Sequence, residues 1–253
     1  MIDEILKEIS GISGHTGFYY KNLVTGETAA YHEKDEFFAA SIIKLPLFMS
    51  ALLLESKGEI SLKDKVVITD GQKVPGCGAV KEMTGDVEID LASLCRLMVV
   101  ISDNTATNAV FRYIGRDTVR KCFNELGFYG TMMNRELYDY ETEAKGINNF
   151  IVPEELGKAL ERLYKGEIIS PEASEKVIEV LKRQQVEHKL RGRITDDVAI
   201  AHKTGEEDGT THDVGIIYGS KPFVVCFASN RVYVPEFEDF IRRTAAKLYE
   251  ENR

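Results

Sequence analysis

Three short clusters in this sequence join a hydroxyl to a lysine or an amide. The first is Ser41-Ile42-Ile43-Lys44. A serine hydroxyl is a weak nucleophile unless a base lies within hydrogen-bond reach, and three-residue spacing on a helix puts Ser41 and Lys44 on one face. Their surroundings are apolar, and desolvation makes a lysine give up its proton more readily. A helix N-terminus at Ser41 would offer N–H groups to a developing oxyanion. The second cluster is Ser102-Asp103-Asn104. Ser102 is suited to pass a proton to a leaving group, and the Asn104 amide to hold a substrate carbonyl. The third is His202-Lys203-Thr204-Gly205, closing an apolar run. Lys203 and Thr204 suit a substrate carboxylate by charge and hydroxyl, and Gly205 would let a substrate backbone lie close to the strand. Taken singly, each cluster is equally a helix cap or a strand-end turn.

The elements that would position these residues are legible from periodicity. GFYYKNL (17–23) and ETAAYH (27–32), joined through Thr25-Gly26, read as a hairpin. A helix from Ser41 to Lys57 is apolar on most sides and so buried. Pro46 is tolerable there only near the first turns. Residues 58–90 are turn-rich and irregular. Helices follow at Leu91–Ile101, Thr105–Ile114 and Asp117–Leu126, the last ended by Gly127. Residues 130–150 read as a long loop, a feature that in compact domains tends to be functional. Pro153 and Pro171 open two more helices. Residues 198–205, 212–219 and 221–230 return to strands, before a last helix from Pro235 to Asn252. The pattern predicts a mixed α/β (α+β) domain: an antiparallel sheet flanked by helices, with an all-helical lobe inserted. One domain of 1–253 follows, with a sheet lobe of about 1–40 and 184–253 and a helical lobe of about 41–183.

Composition bounds the function. Among 253 residues, 32 Lys+Arg stand against 41 Asp+Glu, a net charge of −9. No basic footprint for nucleic acid is present. No apolar run approaches the roughly 18 residues of a membrane span, so no membrane partner is expected. The start, MIDEILKEIS, is acidic and lacks the apolar core of a signal peptide. It reads as a short amphipathic helix with Ile2, Ile5, Leu6 and Ile9 on one face. The four cysteines, Cys77, Cys95, Cys122 and Cys226, form no CxxC or Cys/His cluster. Reduced thiols and a cytoplasmic location are the expectation.

Each cluster occurs once and in order, with 61 positions from Ser41 to Ser102 and 101 from Ser102 to Lys203. In this the chain resembles class A serine β-lactamases and penicillin-binding proteins, whose signature set is SxxK, SDN and KTG. The resemblance runs from about residue 15 onward. It implies that Ser41 is acylated, Lys44 activates it, Ser102 relays the proton and Asn104 positions the substrate amide. Lys203 and Thr204 would hold the carboxylate, with Gly205 beside them, and the backbone N–H groups of Ser41 and Glu206 would form the oxyanion hole. The implied substrate is a β-lactam or an acyl ester or amide. No metal and no organic cofactor is implied.

The sequence departs from that family in the 130–150 loop. Class A β-lactamases carry Arg-x-Glu-Pro there, and the glutamate positions the deacylating water. Here the text is Asn134-Arg135-Glu136-Leu137-Tyr138-Asp139-Tyr140-Glu141. Arg135 and Pro153 fit the loop's ends, and Asn149 stands where the arginine's aspartate partner is usual. The glutamate comes one residue early, as Glu136, with Leu137 at the strict position. Three readings stay open: Glu136 reaches the water, Asp139 or Glu141 substitutes, or no base exists. Phe48 stands where a disulfide partner for Cys95 would be, so no bridge forms there. Cys77 falls on a loop at the cleft rim, and Tyr138 and Tyr140 read as packing residues. Thr210-Thr211-His212 lacks the extra arginine the family often supplies, leaving Arg191 or Arg193 to stand in. The functions to be separated are full β-lactam turnover, a peptidase- or esterase-type acyl-enzyme former with slow deacylation, and a non-catalytic binding or sensing protein.

Overall fold

Two apolar-alternating regions far apart in sequence, 15–31 and 200–230, pair into one sheet. The computed structural model describes residues 1–253. Strands β1 (His15–Asn22) and β2 (Thr28–Tyr31) form the expected hairpin, and β7 (Ile200–Glu207), β8 (Thr210–Ile217) and β9 (Phe223–Asn230) form a meander. The sheet order is β2-β1-β9-β8-β7, every pair antiparallel. Its period of two divides the side chains cleanly. Phe18, Tyr20, Val225 and Phe227 face helices α1 (Ile2–Ile9) and α9 (Val234–Asn252), packing with Ile5, Ile9, Phe237 and Phe240. Tyr19, Val224, Cys226 and Val214 face the larger core on the other side.

That larger core is built around α2 (Lys44–Ser56), in which every residue from Lys44 to Leu54 is buried. The sequence reading started this helix at Ser41. Instead Ala40–Ile43 form a 3-10 turn, and the α-helix begins at Lys44. Pro46 thus falls in the first turn, where its missing N–H has no intrahelical acceptor to leave unpaired. A small hairpin of β4 (Lys65–Ile68) and β5 (Val87–Asp90) lies within the region read as irregular. Around α2 pack α3 (Leu91–Val100), α4 (Asn104–Ile114) and α5 (Arg116–Leu126). The 130–150 loop contains one short helix, α6 (Tyr140–Glu143), and is closed by β6 (Phe150–Ile151), paired with β3 (Phe37–Phe38).

Helices α7 (Pro153–Tyr164) and α8 (Pro171–Leu181) lie against the sheet, α7 on β1, β8 and β9 and α8 on β7. The helical region is therefore one continuous core with the sheet's inner face. Gly157 allows α7 its close approach, because a Cβ there would overlap the Tyr19 ring. No helix is long and apolar enough to cross a membrane. Overpacking of this kind costs about 1–3 kcal/mol, so Gly157→Ala should lower the unfolding free energy by that amount in a urea titration. Stability equal to wild type would mean the Tyr19 ring has room to yield.

Candidate active site

The 3-10 turn carrying Ser41 packs on β7 and β8, and Gly205 is the reason it fits. A Cβ at Gly205 would stand 3.1 Å from Ile42 Cγ1 and 3.2 Å from Ala40 Cβ. The missing side chain therefore seats the turn that bears Ser41, rather than only a substrate backbone as the sequence suggested. Ser41 itself remains partly accessible at a cleft of about 590 Å³, a volume typical of small-molecule sites.

Lys44 is fully buried one turn below. Its Nζ lies 2.8 Å from Ser41 Oγ, 3.0 Å from Ser102 Oγ, 2.7 Å from the Ser102 carbonyl and 2.7 Å from Asn104 Oδ1. The carbonyl and the amide oxygen can only accept, so they take two N–H bonds from Lys44. Burial, reinforced by the nearby charge of Lys203, pushes the Lys44 pKa well below its usual value. A neutral amine has a lone pair left, and the Ser41 hydroxyl is placed to donate into it.

Lys203, also fully buried, approaches the Ser102 hydroxyl from β7. Its Nζ donates to Ser102 Oγ at 3.1 Å and to the Thr204 carbonyl at 2.7 Å. Burial lowers its pKa to about 7, against the opposing pull of Asp213. Ser102 adopts a left-handed backbone, φ 56°, a strained conformation for a residue with a Cβ. It sits between the end of α3 and the start of α4. Asp103 caps α4 through Ala106 N–H, and its other oxygen accepts from Ala79 and Val80 N–H at 2.7 and 2.9 Å. Asp103 thereby ties down the 75–80 loop, with Cys77 at the cleft rim. Gly78 (φ 125°) must be glycine, because a Cβ would overlap the Asp103 carboxylate. Ser41, Lys44, Ser102, Asn104, Lys203 and Thr204 are thus brought together, with Gly205 and Glu206 lining the same cleft.

Glu136 is not brought to the cleft. Its carboxylate pairs with Arg112 Nη1 at 2.6 Å on α4, and it does not line the cleft, whereas Leu137 does. One turn earlier on the same helix, Asn108 clamps the Leu137 backbone through both its N–H and its carbonyl, at 2.8 and 2.9 Å. With residue 137 fixed in this way, Leu137 lines the cleft while Glu136 is held on Arg112. Asp139 caps α6, and neither it nor Glu141 lines the cleft. Asn149 meets residue 135 through the backbone, its Oδ1 accepting from Asn134 and Arg135 N–H. The Arg135 guanidinium goes to Asn148 and Glu143 instead. Tyr138 and Tyr140 line the cleft in an edge-on pair.

The stand-in arginines do not reach the cleft either. Arg191 binds the Asp196 carbonyl and Arg193 pairs with Asp239. Sequence reasoning missed Lys189, which is fully buried. Its Nζ meets the Gly205 and His212 carbonyls at 3.2 and 3.0 Å, Thr211 Oγ1 at 2.9 Å and Glu206 Oε1 at 3.0 Å. Nothing in the run KLRGR distinguishes it from its arginine neighbours until the backbone turns it inward. His212 is structural: its Nε2 donates to the Phe38 carbonyl while Nδ1 accepts from Ser229 N–H, and burial drops its pKa to about 3. The four cysteines are unpaired, with only Cys77 exposed.

A serine hydroxyl facing a buried, proton-poor lysine beside a second hydroxyl and lysine defines a serine acyl-transfer hydrolase. Comparison with known proteins agrees. The model of the β-lactamase enzyme family matches residues 1–251, and the chain belongs to that family. Among curated relatives, β-lactamase 3 of Bacillus cereus is 28% identical over 92% of this chain and 75% of its own length. A β-lactamase of Streptomyces fradiae is 27% identical over 85% of this chain and 72% of its own. Among solved structures, a β-lactamase from Sphaerobacter thermophilus superposes with a TM-score of 0.90 at 24% identity, covering 99% of this chain and 96% of that one. A leucine-to-glutamate variant of PBP-A, an acyl-enzyme complex with penicillin G, does so with 0.90 at 24% identity, covering 99% and 95%.

The low pKa of Lys203 has a measurable consequence. The folded chain holds that proton less tightly than the unfolded one, so above about pH 7 the unfolded state binds more protons and stability rises with pH. Relative to Lys203→Met, the wild type should gain unfolding free energy as pH is raised from about 7 towards roughly 10, near the unperturbed lysine value. A difference independent of pH would mean the ammonium is not perturbed.

Proposed function

We propose that the protein opens β-lactams by acylation on Ser41, and that acylation outruns hydrolysis. The observation that carries this is the Lys44 amine, buried and 2.8 Å from Ser41 Oγ. Lys44 takes the Ser41 proton as Oγ attacks the carbonyl. Ser102, within reach of both lysines, returns a proton to the leaving nitrogen. Asn104 Oδ1 is held by Lys44 and one amide hydrogen by the Pro75 carbonyl, leaving the other free for the substrate amide. Lys203 and Thr204 receive the substrate carboxylate, and the backbone N–H groups of Ser41 and Glu206 receive the oxyanion.

Hydrolysis is slowed because the loop does not supply its base. A general base contributes roughly 10²–10⁴ in rate and must lie within hydrogen-bond reach of its water. Glu136 is held on Arg112, and the cleft receives Leu137 in its place. The PBP-A variant held as an acyl-enzyme with penicillin G supports a covalent intermediate for this fold. The four unpaired cysteines support a reducing compartment.

Penicillin G should give a one-to-one adduct in intact-mass spectra that Ser41→Ala abolishes, and a nitrocefin burst followed by slow turnover. An adduct on the alanine variant would remove Ser41 as nucleophile, and a linear, fast nitrocefin trace would remove the slow-hydrolysis reading. Glu136→Gln should leave the adduct's lifetime within about threefold of wild type, less than the 10²–10⁴ of a lost base. A lifetime lengthened a hundredfold would return the base to Glu136.

A further inference from the structure

A second, narrower cavity of about 40 Å³ lies beside the nucleophile's turn. Ala40, Arg135, Leu137, Glu143, Asn149 and Glu207 form much of its wall. That volume exceeds the roughly 10–15 Å³ a water molecule needs, and the wall supplies polar partners. Glu207 lines both this cavity and the main cleft. It lies on the same side of β7 as Gly205, whose bare face meets Ala40 and Ile42, since alternate residues of a strand share a side.

Four carboxylates reach the main cleft: Glu143, Glu206, Glu207 and Asp208. Glu143 is tied to Arg135 at 2.8 Å. Glu206 is tied to Lys189, which against the upward push of burial holds its carboxyl below the usual range. Asp208 lines the main cleft alone. Glu207, exposed where the strand meets the cleft, has no hydrogen-bond or ion-pair partner within the protein, and partial desolvation raises its carboxyl above the ordinary value against the pull of Arg135. A carboxylate free of protein partners, lining both a water-sized polar cavity and the cleft that holds Ser41, is placed as a general base would be.

We propose that Glu207, from β7, activates the water that hydrolyses the Ser41 ester, a task Glu136 cannot perform from its place on Arg112. The inference rests on the acyl-enzyme reading above. Glu207 takes one proton from the water as its oxygen bonds to the ester carbonyl carbon. The tetrahedral intermediate then collapses, breaking the bond from that carbon to Ser41 Oγ. The abstracted proton returns to Oγ directly or through Lys44, leaving a free acid and the serine hydroxyl.

The test is the formation and decay of the penicillin G adduct, followed by time-resolved intact mass in wild type, Glu207→Gln and Glu136→Gln. In Glu207→Gln the decay should slow about 10²-fold, the lower end of general-base effects, with formation within threefold. Glu136→Gln should decay as wild type. The charged groups around Glu207 are Arg135 and Glu143 from the loop and Lys44 from α2, with Glu206 and Asp208 adjacent in the chain. Wild-type decay should slow as pH falls and Glu207 takes up its proton. Glu207→Gln should lose that acid limb and Glu143→Gln should keep it. A structural defect would slow formation and decay together. If Glu207→Gln does not fold, Glu207→Asp should lengthen the adduct's life severalfold with formation unchanged. Decay unaffected by the change at Glu207 overturns this inference alone, whereas absence of any wild-type adduct overturns the acyl-enzyme reading and this inference with it.

Discussion

One hydroxyl, Ser102 Oγ, lies between two buried lysines, 3.0 Å from Lys44 Nζ and 3.1 Å from Lys203 Nζ. The two nitrogens are therefore at most about 6 Å apart, and two positive charges at that distance repel by about 3 kcal/mol at an effective dielectric of 20. Desolvation adds to that penalty. The pair escapes it by being unequal. Asp213 works to keep the proton on Lys203, whereas burial and the charge of Lys203 push the Lys44 pKa well below its usual value. The same asymmetry is what the proposed division of labour, Lys44 as base and Lys203 as anion receptor, would draw on.

Holding that arrangement falls to the rest of the fold. Lys44 comes from a helix buried nearly all round, Lys203 from an edge strand of the sheet, and Ser102 from a left-handed link between two helices. Each would drift without an anchor. Gly205 seats the nucleophile's turn against the strand, Asp103 fastens the 75–80 loop to the start of α4, and Asn108 fixes the loop that ends in α6. Lys189 fastens β7 to β8 through two carbonyls and a threonine hydroxyl. Each of these four residues fixes a segment that lines the cleft or carries one of its side chains.

Much of this was legible in the sequence because it rests on local periodicity and on short spacings. The hairpin at 17–32, the helices bounded by Gly127, Pro153 and Pro171, and the ordered trio of clusters all show in neighbouring residues. What escaped depends on contacts between distant segments. Lys189 and Arg191 are two positions apart and equally basic, and only the backbone's course decides which one turns inward. Glu136 and Leu137 differ by one step along the chain, and Asn108, nearly thirty residues earlier, selects which faces the cleft. Gly205 looked like clearance for a ligand, but the neighbour it accommodates is Ile42. The 3-10 turn at Ala40–Ile43 escaped because its residues carry the same apolar pattern as the helix that follows.

The pairing of β1 with β9 sets a timetable for the newborn chain. These strands lie roughly 200 residues apart, and such long-range pairings form slowly. At translation speeds of about 5–20 residues per second, β1 waits about 10–40 s on the ribosome before its partner exists. Through that interval Phe18 and Tyr20 have no sheet to bury them, and a nascent hydrophobic edge of this kind attracts chaperones or other chains. Ser41 and Lys44 emerge in the same early stretch, but Ser102 and Asn104, which bind the Lys44 amine, follow about sixty residues later, and Lys203 comes roughly a hundred residues after those. The full set of side chains around Ser41 therefore assembles only after the polypeptide has closed upon itself.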